Sequence, residues 1–121
     1  MTDHIILTVP ATIRWSVVER EFKACEDWGE CKLFKVRTLP RSGNVVGGRC
    51  YVVHGGLLRG WMSITALVPH RRFKCTTTGD IYEGRFIECS GPFFYQTKPV
   101  IHMRGFQGWH YYNPKAVATA A

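Results

Sequence analysis

Acidic side chains are missing from two long stretches of this 121-residue chain. None occurs between Lys32 and Lys74, and none from Cys89 to the C-terminus. The first stretch carries Lys32, Lys35, Arg37, Arg41, Arg49, Arg59, Arg71, Arg72 and Lys74, whereas the acids gather in Glu19–Glu30 and at Asp80, Glu83 and Glu88. A formal net charge of +7 is therefore segregated rather than spread. Segregation of this kind suits a surface that attracts a polyanion; charge that serves solubility alone is the plainer alternative. The five cysteines form no CxxC pair, their number is odd and their neighbours are mostly apolar. They point to buried, reduced thiols and away from a disulfide framework. Cys25, Cys31 and a histidine match no zinc-ligand spacing, so no metal and no cofactor is expected. No apolar run approaches the ~18–20 residues of a membrane helix, and the first residues lack a basic-then-apolar layout. A cytoplasmic protein without membrane contact is the resulting expectation. Repeats, low-complexity tracts and interdomain linkers are also lacking. The expectation is one domain over residues 1–114, followed by a flexible tail at 115–121.

What the chain does contain is organised around Val45–Ile64. Gly55-Gly56 separates two β-rich runs, and a two-residue glycine connection is a strong hairpin signal because such turns need positive φ. With that pair as the turn, His54 faces Leu57, Val53 meets Leu58, Val52 faces Arg59, Tyr51 meets Gly60, Cys50 faces Trp61 and Arg49 meets Met62. Tyr51, Val53, Leu58, Met62 and Ile64 then share an apolar face, and His54, Arg59, Trp61 and Ser63 share a mixed one. The mixed face reads either as a binding surface or as an ordinary solvated one.

Ahead of the hairpin, His4–Val9 predicts a strand ended by Pro10. Ile13–Trp28 predicts a helix, since Trp15, Val18, Phe22 and Cys25 recur on one face. Ser16 with Glu19, or Thr12 alone, would cap its start; Glu19 would pair with Lys23, and Gly29 would stop it. Cys31–Arg37 predicts a second strand leading into the basic loop Thr38–Asn44. After the hairpin, Pro69 is expected to end the strand, and His70–Asp80 reads as an exposed loop or ragged edge, its basic run with one aromatic, Phe73, suiting phosphate contact plus base stacking or plain solvation. Gly84–Cys89 predicts a strand turned by Ser90-Gly91-Pro92, and Val100–Met103 another. Met103–Tyr112 brackets two glycines with aromatics, either as a contact surface or as a terminal strand plugging the end of a barrel.

Short strands, glycine turns and one early helix predict a mainly β, α+β domain: a small, bent pseudobarrel sealed by the helix. Gly47–Trp61, together with Met103–Tyr111, resembles the PUA-like barrel superfamily, particularly its ASCH- and EVE-type members. The resemblance implies a pseudobarrel with a cleft beside the helix that receives RNA or a single modified base. The Gly-x-Lys-x-x-Glu-x-Arg string of ASCH domains is missing here, so the resemblance carries over no catalytic residue.

The expected function is binding of nucleic acid, RNA or DNA, or of a modified nucleotide in a basic, aromatic cleft. Arg59, Trp61, Arg104, Gln107, Trp109 and Tyr111 are the candidate ligand contacts, offering stacking faces and planar hydrogen-bonding groups. Arg37, Arg41, Arg71, Arg72 and Lys74 are the candidate phosphate contacts. One alternative is a small hydrolase or nuclease drawing on His54, His70, His102, His110, Glu83 or Glu88, although no pair of these has motif-grade spacing. Another is a phage-type inhibitory protein that binds a protein partner.

Overall fold

The computed structural model describes residues 2–41, 43–75 and 78–114, so the predicted tail at 115–121 lies outside the described residues. In chain order the elements are β1 (Ile5–Thr8), α1 (Trp15–Trp28), β2 (Lys32–Val36), β3 (Arg49–His54), β4 (Leu57–Lys74), β5 (Ile81–Tyr95) and β6 (Trp109–Tyr111). The strands form one six-stranded sheet in the order β2-β5-β4-β3-β1-β6. The β1–β3 pair is parallel and the other neighbours are antiparallel. Two strands are long, β4 with 18 residues and β5 with 15, and each changes partners along its length. β3 lines up only with the first part of β4, and β2 only with Arg85–Cys89 of β5. Staggered pairing of this kind, with the bulges described below, curls the sheet into a half-barrel with α1 against it. Among the described residues the fold is mainly β with one α-helix, as the sequence predicts. No helix among the described residues is long and apolar enough to cross a membrane.

The concave side holds the main core. Val18, Phe22 and Cys25 of α1 meet Ile5 and Leu7 of β1, Cys50 and Val52 of β3, Met62 and Ile64 of β4, and Ile87 and Phe93 of β5. Phe22 stacks on Phe93 with ring centroids 4.4 Å apart. A second cluster, Ile6, Tyr51, Val53 and Leu58, occupies the convex side, where Ile101, Met103, Phe106 and Tyr112 pack on it. That C-terminal segment is tied down by Leu58 N–H to Ile101 O at 2.9 Å, Met103 N–H to Gly56 O at 2.9 Å, and Phe106 N–H to Thr8 Oγ1 at 3.1 Å.

The hairpin turns at Gly55-Gly56 as predicted, with φ of 60° and 77°. His54 pairs with Leu57 and Val53 with Leu58, but Val52 then pairs with Gly60, Tyr51 with Trp61 and Cys50 with Met62. Arg59 is an extra residue, a β-bulge, and everything beyond it changes face. Met62 and Ile64 therefore join Cys50 and Val52 on the helix side, while Tyr51, Val53 and Leu58 stay on the convex side. The predicted five-residue apolar face is split between two cores. Gly60 is where the bulge requires glycine: its φ is 153°, and a Cβ there would lie 2.0 Å from Phe94 O.

Three further departures share one cause, the length of β4 and β5. β4 runs through Pro69, and β5 runs through Ser90-Gly91-Pro92. Both prolines lie where their strand is paired on one side only and where the register shifts, so neither missing N–H interrupts a ladder. The predicted basic loop after Pro69 is instead the outer half of a two-stranded arm, Arg71 pairing with Gly84 and Lys74 with Ile81; Thr76 and Thr77 lie outside the described residues. Val100–Met103 forms no strand, only a single bridge between His102 and Leu57.

α1 starts at Trp15 rather than Ile13, with Arg14 at the N-cap and no side-chain cap from Thr12 or Ser16. Its stop is as predicted, with Gly29 left-handed at φ 68°. Lys23 pairs with Asp27 at 3.2 Å instead of with Glu19. Glu19 accepts a 2.7 Å hydrogen bond from Tyr95 Oη, tying the end of β5 to the helix.

Candidate functional site

A cavity of about 600 Å³ opens between the outer half of the arm, β2, β1 and the helix. Its volume falls within the range of small-molecule sites. Leu7, Val9, Ile13, Phe34, Val36 and Phe86 give it an apolar lining. The polar groups come from the elements around that lining. β2 contributes Lys32 and Lys35, the arm contributes Arg71 and Lys74, α1 contributes Glu21, and the α1–β2 connection contributes the exposed Glu30. Lys32 Nζ and Glu21 Oε2 form a partly buried ion pair, so these two charges cancel locally. Lys35, Arg71 and Lys74 are exposed cations. The stem of Lys35 lies against Gly84, with its Cε 3.1 Å from where a Cβ would be. On the arm, Phe73 stacks with Tyr82 at 5.7 Å and meets Phe86 edge-on at 5.2 Å, while the Arg71 guanidinium sits 6.0 Å from the Phe73 ring. Phe73 and Tyr82 both line the cavity. The result is a concave apolar space with two stacked aromatic rings and three exposed cations around it.

At the helix exit, Cys31 Sγ donates to Glu88 Oε1 at 3.3 Å, and Thr65 Oγ1 donates to the same oxygen at 3.0 Å. Burial, then the Glu88 carboxylate, pushes the Cys31 thiol above its ordinary pKa, and the nearby Arg71 opposes this.

Of the five candidate phosphate contacts, Arg71 and Lys74 line the cavity and Arg37, Arg41 and Arg72 do not. Arg72 pairs across the arm with Glu83, and the Arg37 carbonyl accepts from Arg85 Nη1 at 3.2 Å. The six candidate ligand contacts lie elsewhere, and none lines this cavity. The Arg59 guanidinium stands 5.1 Å from the Trp15 ring, and its Nε donates to His54 O at 3.0 Å. Trp61 stacks on Phe94 at 4.3 Å, with the Arg49 guanidinium 4.1 Å from its indole. Trp109 packs against the main core and donates from Nε1 to Thr38 O at 2.7 Å, and Tyr111 meets it edge-on at 5.1 Å. Arg104 and Gln107 are exposed on the C-terminal segment. None of Arg59, Trp61, Arg104 and Trp109 lines this cavity or the smaller pocket at Asp3, His4 and Tyr111–Asn113.

The candidate acid–base residues are also dispersed. His54 is buried beside Trp15, and its Nε2 lies 2.7 Å from Ile13 O. A carbonyl only accepts, so Nε2 donates, and Nδ1 is buried with no hydrogen-bond partner among the described residues. His70 and Glu83 form an exposed pair at 3.0 Å. His102 and His110 belong to the C-terminal segment and β6, and none of these groups lines the cavity.

Lys35 and Tyr82 are residues that sequence reasoning did not single out for the site, and Phe73 enters it only as the aromatic within a basic run. The only signal for them was weak. Lys35 is an exposed residue between the buried Phe34 and Val36 of β2, and the pairing of Phe73 with Tyr82 needs the arm hairpin, whose turn carries no two-residue glycine signature. Comparison with family models, with curated proteins and with solved structures gives no match for this chain.

Proposed function

We propose that this chain binds nucleic acid, or a modified nucleotide, by receiving a base in the cavity with the attached phosphates at its mouth. One observation carries the reading: an apolar space of about 600 Å³ is bordered by the Phe73–Tyr82 stack and by the exposed cations Lys35, Arg71 and Lys74. A nucleotide needs a dry, flat surface for its base and cations for its phosphate, and this lining offers both. The likeness of the hairpin and C-terminal strings to PUA-like domains belongs to the same proposal, because such a domain receives RNA or a base beside a helix.

The test is a filter-binding titration of single-stranded RNA across salt concentrations. Affinity should fall steeply with salt, and each of Arg71→Glu and Lys74→Glu should weaken binding roughly tenfold or more and flatten the salt slope by about one. Tyr82→Ala should weaken binding while leaving the salt slope unchanged. Binding that is missing at low salt, or indifferent to all three changes, would overturn the reading.

A further inference from the structure

Trp61 on the convex side is held in a stack that the cavity does not use. Across β4 its register partners are Tyr51 on β3 and Phe94 on β5, so the neighbours on its two sides come from different strands. Phe94 stacks on it at 4.3 Å and 23°. From the β3 side the Arg49 guanidinium reaches to 4.1 Å from its ring and is steadied by a 3.2 Å hydrogen bond from Nη1 to Tyr51 Oη. The order is Arg49, Trp61, Phe94. The Phe94 side chain is left open, with the residue 45 % exposed, and Arg49 is exposed as well. A cross-strand aromatic pair can stabilise a sheet by itself. That role does not require an open ring, a guanidinium on the other side, or the charge pattern around them. β3, the whole of β4 and the chain from Cys89 to Pro114 contain no carboxylate side chain, while Arg49, Lys98 and Arg104 are cationic.

We propose that this convex stack is a second nucleic-acid contact. An unpaired base stacks on Phe94, and Arg49 meets an adjoining phosphate of a single strand longer than the cavity alone can hold. The proposal rests on the nucleic-acid reading above but uses different residues. Charge favours this occupant: β3 and β4 carry no carboxylate and present the exposed Arg49, with Asp3 the acid that comes close through its contact with Gly48. Such strands suit a polyanion, and stacking on an open ring tolerates any base.

The probes are a fluorescein-labelled uridine dodecamer, followed by anisotropy, and uridine 5′-monophosphate, followed by calorimetry. Phe94→Ala and Phe94→Leu should each weaken dodecamer binding about tenfold, on the scale of ~1–3 kcal/mol for one stacked base. Arg49→Gln should weaken it less and reduce the salt slope. None of the three should alter binding of the monophosphate. Leucine separates stacking from covering, because it restores apolar bulk without a π-face, and the melting temperature confirms that each variant is folded. Dodecamer affinity unchanged in the Phe94 variants, or restored by leucine, overturns the proposal and leaves the face to a protein partner. Failure of the cavity reading looks different: the monophosphate does not bind and Arg71→Glu is silent, while Phe94→Ala still weakens the dodecamer.

Discussion

Cys31 and Cys89 show how position within the curl sets the chemistry of a side chain. Cys89 is buried, and contact with the Cys50 thiol, then burial, raises its pKa well above the ordinary value. Burial also pushes Cys25 up to about 11. Because the thiolate is the reactive form, a disulfide-exchange reagent at neutral pH should label only Cys31 and Cys75 in the native protein, the two cysteines that are not buried, and all five after unfolding. Glu88→Ala should speed the labelling of Cys31, since the carboxylate that favours its protonated form is gone. Labelling of Cys50 or Cys89 as fast as Cys31 would contradict this placement. Tyr95 makes a pH prediction at the same scale. Burial, then the hydrogen bond to Glu19, raises its pKa to about 12. A folded pKa above the unfolded one stabilises fully below the unfolded value, near 10, and is lost as pH rises through the folded one. Ultraviolet titration should show one tyrosine ionising near 12, and Tyr95→Phe should remove that step.

At the scale of elements, the Arg59 bulge decides which side chains form which core. Gly60→Ala tests it directly. Its Cβ would meet Phe94 O at 2.0 Å and the Phe93 ring at 2.8 Å, so β5 has to move. The expected cost is about 2–4 kcal/mol in chemical denaturation, the range of a forced backbone shift in a packed region. A change below about 0.5 kcal/mol, the size of an ordinary surface substitution, would mean that the bulge migrates freely. The same element marks the limit of what the sequence discloses. Gly55-Gly56 announces the turn, and the spacing of Val18, Phe22 and Cys25 announces the buried face of α1, because both signals are local. The bulge is not local. Nothing in Leu57-Leu58-Arg59-Gly60 states that Arg59 is unpaired; that depends on how closely β5 approaches Gly60. Pro69 and Pro92 misled for a related reason. Proline ends a strand that is paired on both sides, and the sequence does not say that these stretches are paired on one side only. The site suffers most from this. Arg71 and Lys74 are legible as cations, but their meeting with Lys35 and Tyr82 depends on a curl set by three register shifts between β4 and β5.

For the molecule as a whole, protection should be uneven. β3 is paired on both sides, and its buried residues divide between the two cores. The outer arm is a two-stranded ladder with mostly exposed side chains. Hydrogen exchange should therefore be slowest at Cys50–Val53 and faster by orders of magnitude at Arg71–Lys74 and Ile81–Glu83. Ligand in the cavity should slow the arm selectively, because Arg71, Phe73, Lys74 and Tyr82 come from it. Uniform exchange across β4 would contradict a division into an inner frame and an outer arm.

The parallel pairing of β1 has a consequence for how the chain comes together. The β3–β4 and β4–β5 ladders join neighbours in sequence and can zip up from their own turns. β1 cannot: Ile5 must meet Cys50 on one side and Tyr111 on the other. β1 thus finds one neighbour only after β3 has been made, and the other only after β6. Until then it is an apolar segment with both edges open, and its earliest shelter is the helix that follows it.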